Sequence, residues 1–145
     1  MVMLELAVKM ANRARLSEPQ RLALAVMVGG AAGALARGGL SEVLPRSPGT
    51  WPWATFSANL GGALLLAWVI TRLSEVTVPT RYQRALIGTG FCGALTTFST
   101  FQLETIELSR EGESGLAVAY AGASLAAGML LVVMATVFAR RRRYG

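Results

Sequence analysis

Four long apolar runs, at about residues 22–40, 53–73, 85–108 and 116–139, are separated by short stretches that carry most of the charge. A helix rises 1.5 Å per residue, so about 20 residues cross about 30 Å of hydrocarbon, and each run is close to that length or beyond it. The pattern predicts an all-α membrane protein with four transmembrane helices. Residues 1–20 are more mixed. Leu4, Val8 and Ala11 recur at helical spacing with Lys9, Arg13 and Arg15 between them, which suits a short interfacial helix on the cytoplasmic side. Ser17 and Pro19 then mark a helix start, one as a cap and one as a first-turn residue. Residues 140–145 form a basic tail.

Polar and small residues inside the runs change this picture. In the first run, Gly29, Gly33 and Ala36, and again Gly30 and Ala34, lie three or four residues apart and allow close backbone approach. The same run has a basic flank and an Ala34-Leu35-Ala36 triplet, as a secretory signal would, but three further apolar runs follow it. Arg37, near its end, either snorkels to the headgroups or attracts anions into a vestibule. In the second run Thr55 and Asn59 stand one helical turn apart on one face. Asn59 is either interhelical glue worth about 0.6–2 kcal/mol or a donor to a dehydrating anion, since its amide carries two N–H bonds.

The third run contains the stretch Gly88 to Phe101, with three glycines, four threonines and a serine where a lipid-facing helix would carry leucines. Freed backbone groups are tolerated in hydrocarbon only where protein or water satisfies them, so a helix broken here would mark a site. Small residues packed against a neighbouring helix would explain the same composition. Glu104 and Glu107 follow, Glu107 as an interfacial residue. In the fourth run Tyr120 and Ser124 share a face, which Gly128 and Val132 continue without further hydroxyls.

Composition removes several classes of function. The chain is 53% hydrophobic with 16 glycines and 15% charged residues, outside the soluble norm. Its net charge of +6 comes from arginines beside apolar runs, with no interleaved aromatic platform for single-stranded nucleic acid. There is no histidine, and Cys92 is the only cysteine, which excludes an intrachain disulfide, a histidine or cysteine metal cluster and a histidine base. Catalysis has little to work with, and the chain is not expected to be an enzyme.

Gly90-Phe91-Cys92-Gly93-Ala94-Leu95-Thr96-Thr97-Phe98-Ser99-Thr100-Phe101 resembles the G-F-x-G-x-x-T-T-F-S-T-F signature of the Fluc/CrcB fluoride channels. Gly29 to Ala34 with Arg37, Gly49-Thr50 followed by Asn59-Leu60-Gly61-Gly62, and Tyr120 with Ser124 fit the same family in the same order. The resemblance implies a passive, fluoride-selective channel that exports fluoride through two pores in an antiparallel dimer. It implies pore roles for Asn59, Phe98, Phe101, Thr97, Ser99, Tyr120, Ser124 and Thr55, and a vestibule role for Arg37. It also implies a structural sodium ion at the dimer interface, held by the backbone carbonyls of Gly93 and Thr96 from both subunits. Glu104 matches an acidic family position whose role stays open, because a carboxylate beside an anion path repels the ion unless it is protonated or hydrogen-bonded. The aromatic edges of Phe98 and Phe101 are electropositive and suit a small anion that has lost its water. Packing alone is the other reading of those rings.

Four spans put both termini on one side, with eleven of the 14 basic residues. Arg37, Arg46 and Arg110 are left on the other, so cytoplasmic termini in the inner (plasma) membrane are expected. Such a bias is compatible with an antiparallel homodimer only if it is overridden during insertion; otherwise the partner is an oppositely oriented homologue. A small drug/proton antiporter is the leading alternative, but it would need a carboxylate deep in the first span, and residues 22–36 contain none. A noncatalytic membrane assembly subunit is the other.

Overall fold

The computed structural model describes residues 16–75 and 81–141. The expected interfacial helix within residues 1–20 falls largely outside these residues, as do the connection at 76–80 and the end of the basic tail. The described residues are mostly helical, without strands. Helix α1 spans Glu18–Val43 and α2 spans Trp53–Glu75. The next helical run, α3, covers residues 81–95, and α4 and α5 span Phe98–Arg110 and Ser114–Arg141. Among the described residues three helices are long and apolar enough to cross a membrane: Glu18–Val43, Trp53–Ser74 and Ser114–Arg141.

Local chemistry sets the ends of these elements. Ser17 sits at the N-cap of α1, where Gln20 Oε1 accepts its backbone N–H at 2.8 Å. Gly49 and Gly112 adopt positive φ, 71° and 88°, in the turns before α2 and α5, a region that favours glycine. At the first turn Thr50 Oγ1 donates to Ser47 O at 2.6 Å. Arg46 clamps this linker to the end of α4, donating to Glu107 at 2.6 Å and Glu111 at 2.7 Å, while Glu111 also accepts the Gly49 N–H at 2.7 Å. Glu107, expected to be merely interfacial, is therefore an ion-pair partner. Two acids one turn apart meet the two arms of one guanidinium.

The helices form two packed pairs. Helix α1 lies against α3, and α2 lies against α5; α2 also touches α3, while α4 folds onto α5. Glycine decides the first pairing. A Cβ on Gly29 would overlap the Leu86 carbonyl oxygen, one on Gly33 would overlap that of Phe91, and one on Gly90 would stand 2.7 Å from Val26 O. Along this contact α3 widens into π-type turns between Arg84 and Cys92. Most apolar side chains still point outward. In α1 only 11% of the most hydrophobic window is buried, the mark of helices that face lipid or another subunit.

The close approach yields a test. Gly29→Ala and Gly33→Ala each press a methyl against backbone, which cannot swing aside, and are expected to destabilise the fold by about 1–3 kcal/mol. Gly61→Ala meets nothing within 4 Å and should leave the thermal melting of the purified protein unchanged. Equal melting of all three variants would contradict the α1–α3 contact.

Candidate functional site

The site is built around the place where α3 stops. Leu95 ends its last turn; Thr96 (φ −79°, ψ 151°) and Thr97 (φ −147°, ψ 124°) are extended, and Phe98 starts α4. Two extended residues between helices free several backbone groups, and side chains from other helices take up some of them. Asn59, reaching across from α2, closes a two-way bond with Thr97: its Nδ2 donates to Thr97 O at 3.0 Å and its Oδ1 accepts the Thr97 N–H at 2.7 Å. Arg37 Nε donates to Ala94 O at 3.1 Å, placing a cation at the C-terminal end of α3, where the helix dipole favours one. Thr97 caps α4, its Oγ1 accepting the Thr100 N–H at 3.2 Å and donating to Thr100 Oγ1 at 3.0 Å. Ser99 joins this hydroxyl cluster at 3.3 Å from Thr97.

These partnerships alter the carbonyl pattern. In a continuous helix the Thr97 N–H would go to Gly93 O and the Thr100 N–H to Thr96 O. Both donors are turned elsewhere, to Asn59 and to the Thr97 hydroxyl. Gly93 is exposed, and a Cβ there would meet nothing within 4 Å. The Gly93 and Thr96 carbonyls thus lose their ordinary helical donors near an open face of the chain. Hard oxygen donors of this kind suit a sodium ion.

Phe98 and Phe101, on the first turn of α4, stack in a tilted pair with centroids 5.9 Å apart. They line a groove of about 570 Å³ together with Asn59, Ser124, Gly128 and Met129. The groove is mostly apolar. Its polar side chains are the Asn59 amide and the Ser124 hydroxyl, and Ser124 Oγ is buried without a hydrogen-bond partner. A serine bonding back onto its own helix is thereby ruled out for this structure. Phe98 is 67% exposed.

Behind the groove lies a second polar group. Glu104 accepts a hydrogen bond from Thr55 Oγ1 at 2.7 Å through Oε1 and one from Tyr120 OH at 2.8 Å through Oε2. Thr55 and Tyr120 are buried, so three helices meet at one carboxylate whose two oxygens are both engaged. Aromatic rings pack on Tyr120, which lies 5.3 Å from Phe101 and 5.4 Å, edge-on, from Trp51. Tyr120 and Thr55 direct their hydroxyl protons at Glu104, away from the open groove.

The candidate residues thus fall into three neighbouring groups. Asn59, Phe98, Phe101 and Ser124 share the groove; Thr55, Glu104 and Tyr120 form the buried node; Thr97, Ser99, Arg37, Gly93 and Thr96 belong to the break. Sequence reasoning missed Thr100, whose amide and hydroxyl complete the cap, although the Thr-x-x-Thr spacing before an apolar turn was a signal for it. Trp51, in the linker before α2, packs on Trp53 and Phe56 nearby in sequence and on Tyr120 far from it.

The family model described as CrcB-like protein, Camphor Resistance (CrcB), matches residues 24–136. Over 119 residues the chain is 50% identical to the fluoride-specific ion channel FluC 1 of Mycobacterium bovis, covering 82% of this chain and 90% of that protein. It is 41% identical over 117 residues to the fluoride-specific ion channel FluC of Acidobacterium capsulatum, covering 80% and 94%. Against FluC of Chlorobaculum tepidum the identity is 38% over 117 residues, with 81% and 93% covered. The matched residues contain α2, the break, both phenylalanines and most of α1 and α5, and on that extent of likeness the chain belongs to the CrcB family.

Proposed function

We propose that this protein is a passive fluoride channel of the inner membrane that lets fluoride leave the cytoplasm. The observation that carries the reading is the groove in which the Phe98 and Phe101 rings stand with the Asn59 amide and the unpartnered Ser124 hydroxyl. Fluoride holds its hydration shell tightly, and an isolated ion in a low-dielectric interior costs tens of kcal/mol by an idealised Born estimate. Replacement donors must therefore be fixed in place beforehand. Ring edges, the remaining Asn59 N–H and the Ser124 O–H supply them without a fixed positive charge that would hold the ion too long. Residues 81–110 serve as a fourth, interrupted crossing, each half contributing about 20 Å of helix.

A single chain leaves the groove open along one side, and two chains in antiparallel orientation would close two such routes. The partner is a second copy or an oppositely oriented homologue. The Gly93 and Thr96 carbonyls of the two subunits would hold a sodium ion on the shared axis; when bound, it offsets the carbonyl dipoles gathered there. Described basic residues support cytoplasmic termini: Arg21, Arg72, Arg81, Arg84, Arg140 and Arg141 occur at the helix ends on the terminal side.

The test is fluoride efflux from liposomes containing the purified protein, with valinomycin clamping the voltage and chloride as the comparison anion. Rapid fluoride efflux, little chloride efflux and no dependence on a proton gradient are expected. Efflux that appears only with an imposed proton gradient would replace the channel by an exchanger, and a folded sample silent even when co-reconstituted with an oppositely oriented homologue would remove the reading.

A further inference from the structure

The face of α2 that carries Asn59 continues toward the end of the molecule that holds the termini. Asn59, Ala63, Leu66 and Ile70 follow one another at steps of four, three and four residues, so they form one stripe along the helix. Asn59 and Ala63 line the groove of Phe98 and Phe101. Leu66 and Ile70 line a separate hollow of about 390 Å³, completed by Val69 and, from α3, by Arg84, Gly88 and Thr89. Asn59 and Ile70 are eleven residues apart, about 16 Å of rise. The stripe therefore covers about half of a hydrocarbon layer about 30 Å thick, and it ends five residues short of Glu75, the last residue of α2.

The turns of α3 make the outer end of this stripe cationic. Its π-type turns begin at Arg84, and π-type bonds join residues five apart, so Arg84 and Thr89 share a face that an α-helix would not give them. Gly88 beside them has no side chain to fill the space; a Cβ there would stand 3.5 Å from Leu66 Cδ1. Arg84 is exposed, and its Nη2 donates to Ser74 Oγ at 3.4 Å, a neutral partner that does not cancel the charge. Arg46 and Arg81, by contrast, are paired with carboxylates. Among the described residues no acidic side chain lines the hollow.

Given the fluoride route proposed above, on which this site depends, we propose that the hollow is the terminal-side mouth of that route and that Arg84 is its anion-collecting residue. A cation on a low-dielectric wall focuses the field into the opening and raises the local anion concentration. The apolar wall here is Leu66, Val69 and Ile70. Because Arg84 is exposed, it draws in an anion that still keeps its water, without binding it tightly enough to halt it. Dehydration is left to the rings and the Asn59 amide further along the stripe.

Fluoride efflux from valinomycin-clamped liposomes, at ionic strengths of about 10 mM and about 150 mM set with potassium gluconate, tests the assignment, because the screening length falls from about 30 Å to about 8 Å between them. Arg84→Gln should slow efflux at least about threefold at the lower ionic strength and less than about 1.5-fold at the higher. Arg84→Lys should match the unaltered protein at both. Arg81→Gln, which removes an arginine already paired with Glu18, should change efflux less than about 1.5-fold at either. Arg84→Cys, labelled in detergent before reconstitution, separates charge from folding: a trimethylammonium thiol reagent should restore efflux at low ionic strength, and a sulfonate reagent should depress it further. Cys92, 1% exposed, is shielded from both reagents. If the unaltered protein conducts and Arg84→Gln conducts equally at both ionic strengths, the mouth is overturned and the route stands. A loss of the same size at both, with a lowered melting midpoint and no difference between the two labels, makes Arg84 a structural residue and also overturns the mouth. Absence of efflux from the unaltered protein removes the route itself, and the mouth with it.

Discussion

Asn59→Leu is expected to cost the protein both its stability and its transport. The leucine fills similar space but leaves the Thr97 N–H and C=O, now bonded at 2.7 and 3.0 Å, with no partner at the break. An unsatisfied buried group costs about 1–3 kcal/mol, so the two together correspond to about 2–6 kcal/mol. That is a large share of the stability of a small domain, typically about 5–15 kcal/mol. A marked fall in the thermal midpoint of the purified protein should therefore accompany the loss of fluoride efflux. If the variant melts normally and only efflux disappears, the amide serves the ion alone and the break is held by something else.

Phe98→Ile separates function from folding in the opposite direction. Phe98 is 67% exposed in one chain, so replacing its ring removes little packing, and the change in stability should stay within about 0.5 kcal/mol. Fluoride efflux should fall at least about tenfold, equivalent to about 1.4 kcal/mol on the barrier, because isoleucine offers no electropositive edge. Phe101→Ile should lower efflux as well and also shift melting, since Phe101 is half-buried and its ring lies 5.3 Å from Tyr120. A Phe98→Ile protein that remains dimeric and conducts like the parent would reduce the ring pair to packing.

Several features of the site were legible because they are local. The motif from Gly90 to Phe101 placed the threonine break and both phenylalanines, and four-residue spacings paired Thr55 with Asn59 and Tyr120 with Ser124 on their helices. Sequence alone did not decide what each polar atom faces. Thr55 and Tyr120 look like free hydroxyl donors until Glu104, remote from Thr55 in sequence, accepts from both. Nothing around Arg37 in the sequence points to Ala94, whose carbonyl accepts its Nε–H. Spacing along one helix fixes a residue's direction on that helix; it says nothing about which element stands opposite.

By itself the sequence determined the class of protein, since the length of an apolar run against the thickness of a bilayer is a one-dimensional comparison, and it determined where the third run could break, since threonine, serine and glycine act on the backbone nearest them. Only the tertiary structure decided that the chain changes partner at the break, with α3 lying on α1 through Gly29 and Gly33 while α4 turns onto α5. It also decided that one asparagine on α2 satisfies the backbone exposed there. Both outcomes depend on backbones approaching across helices, a distance set by the absence of side chains at a few glycines.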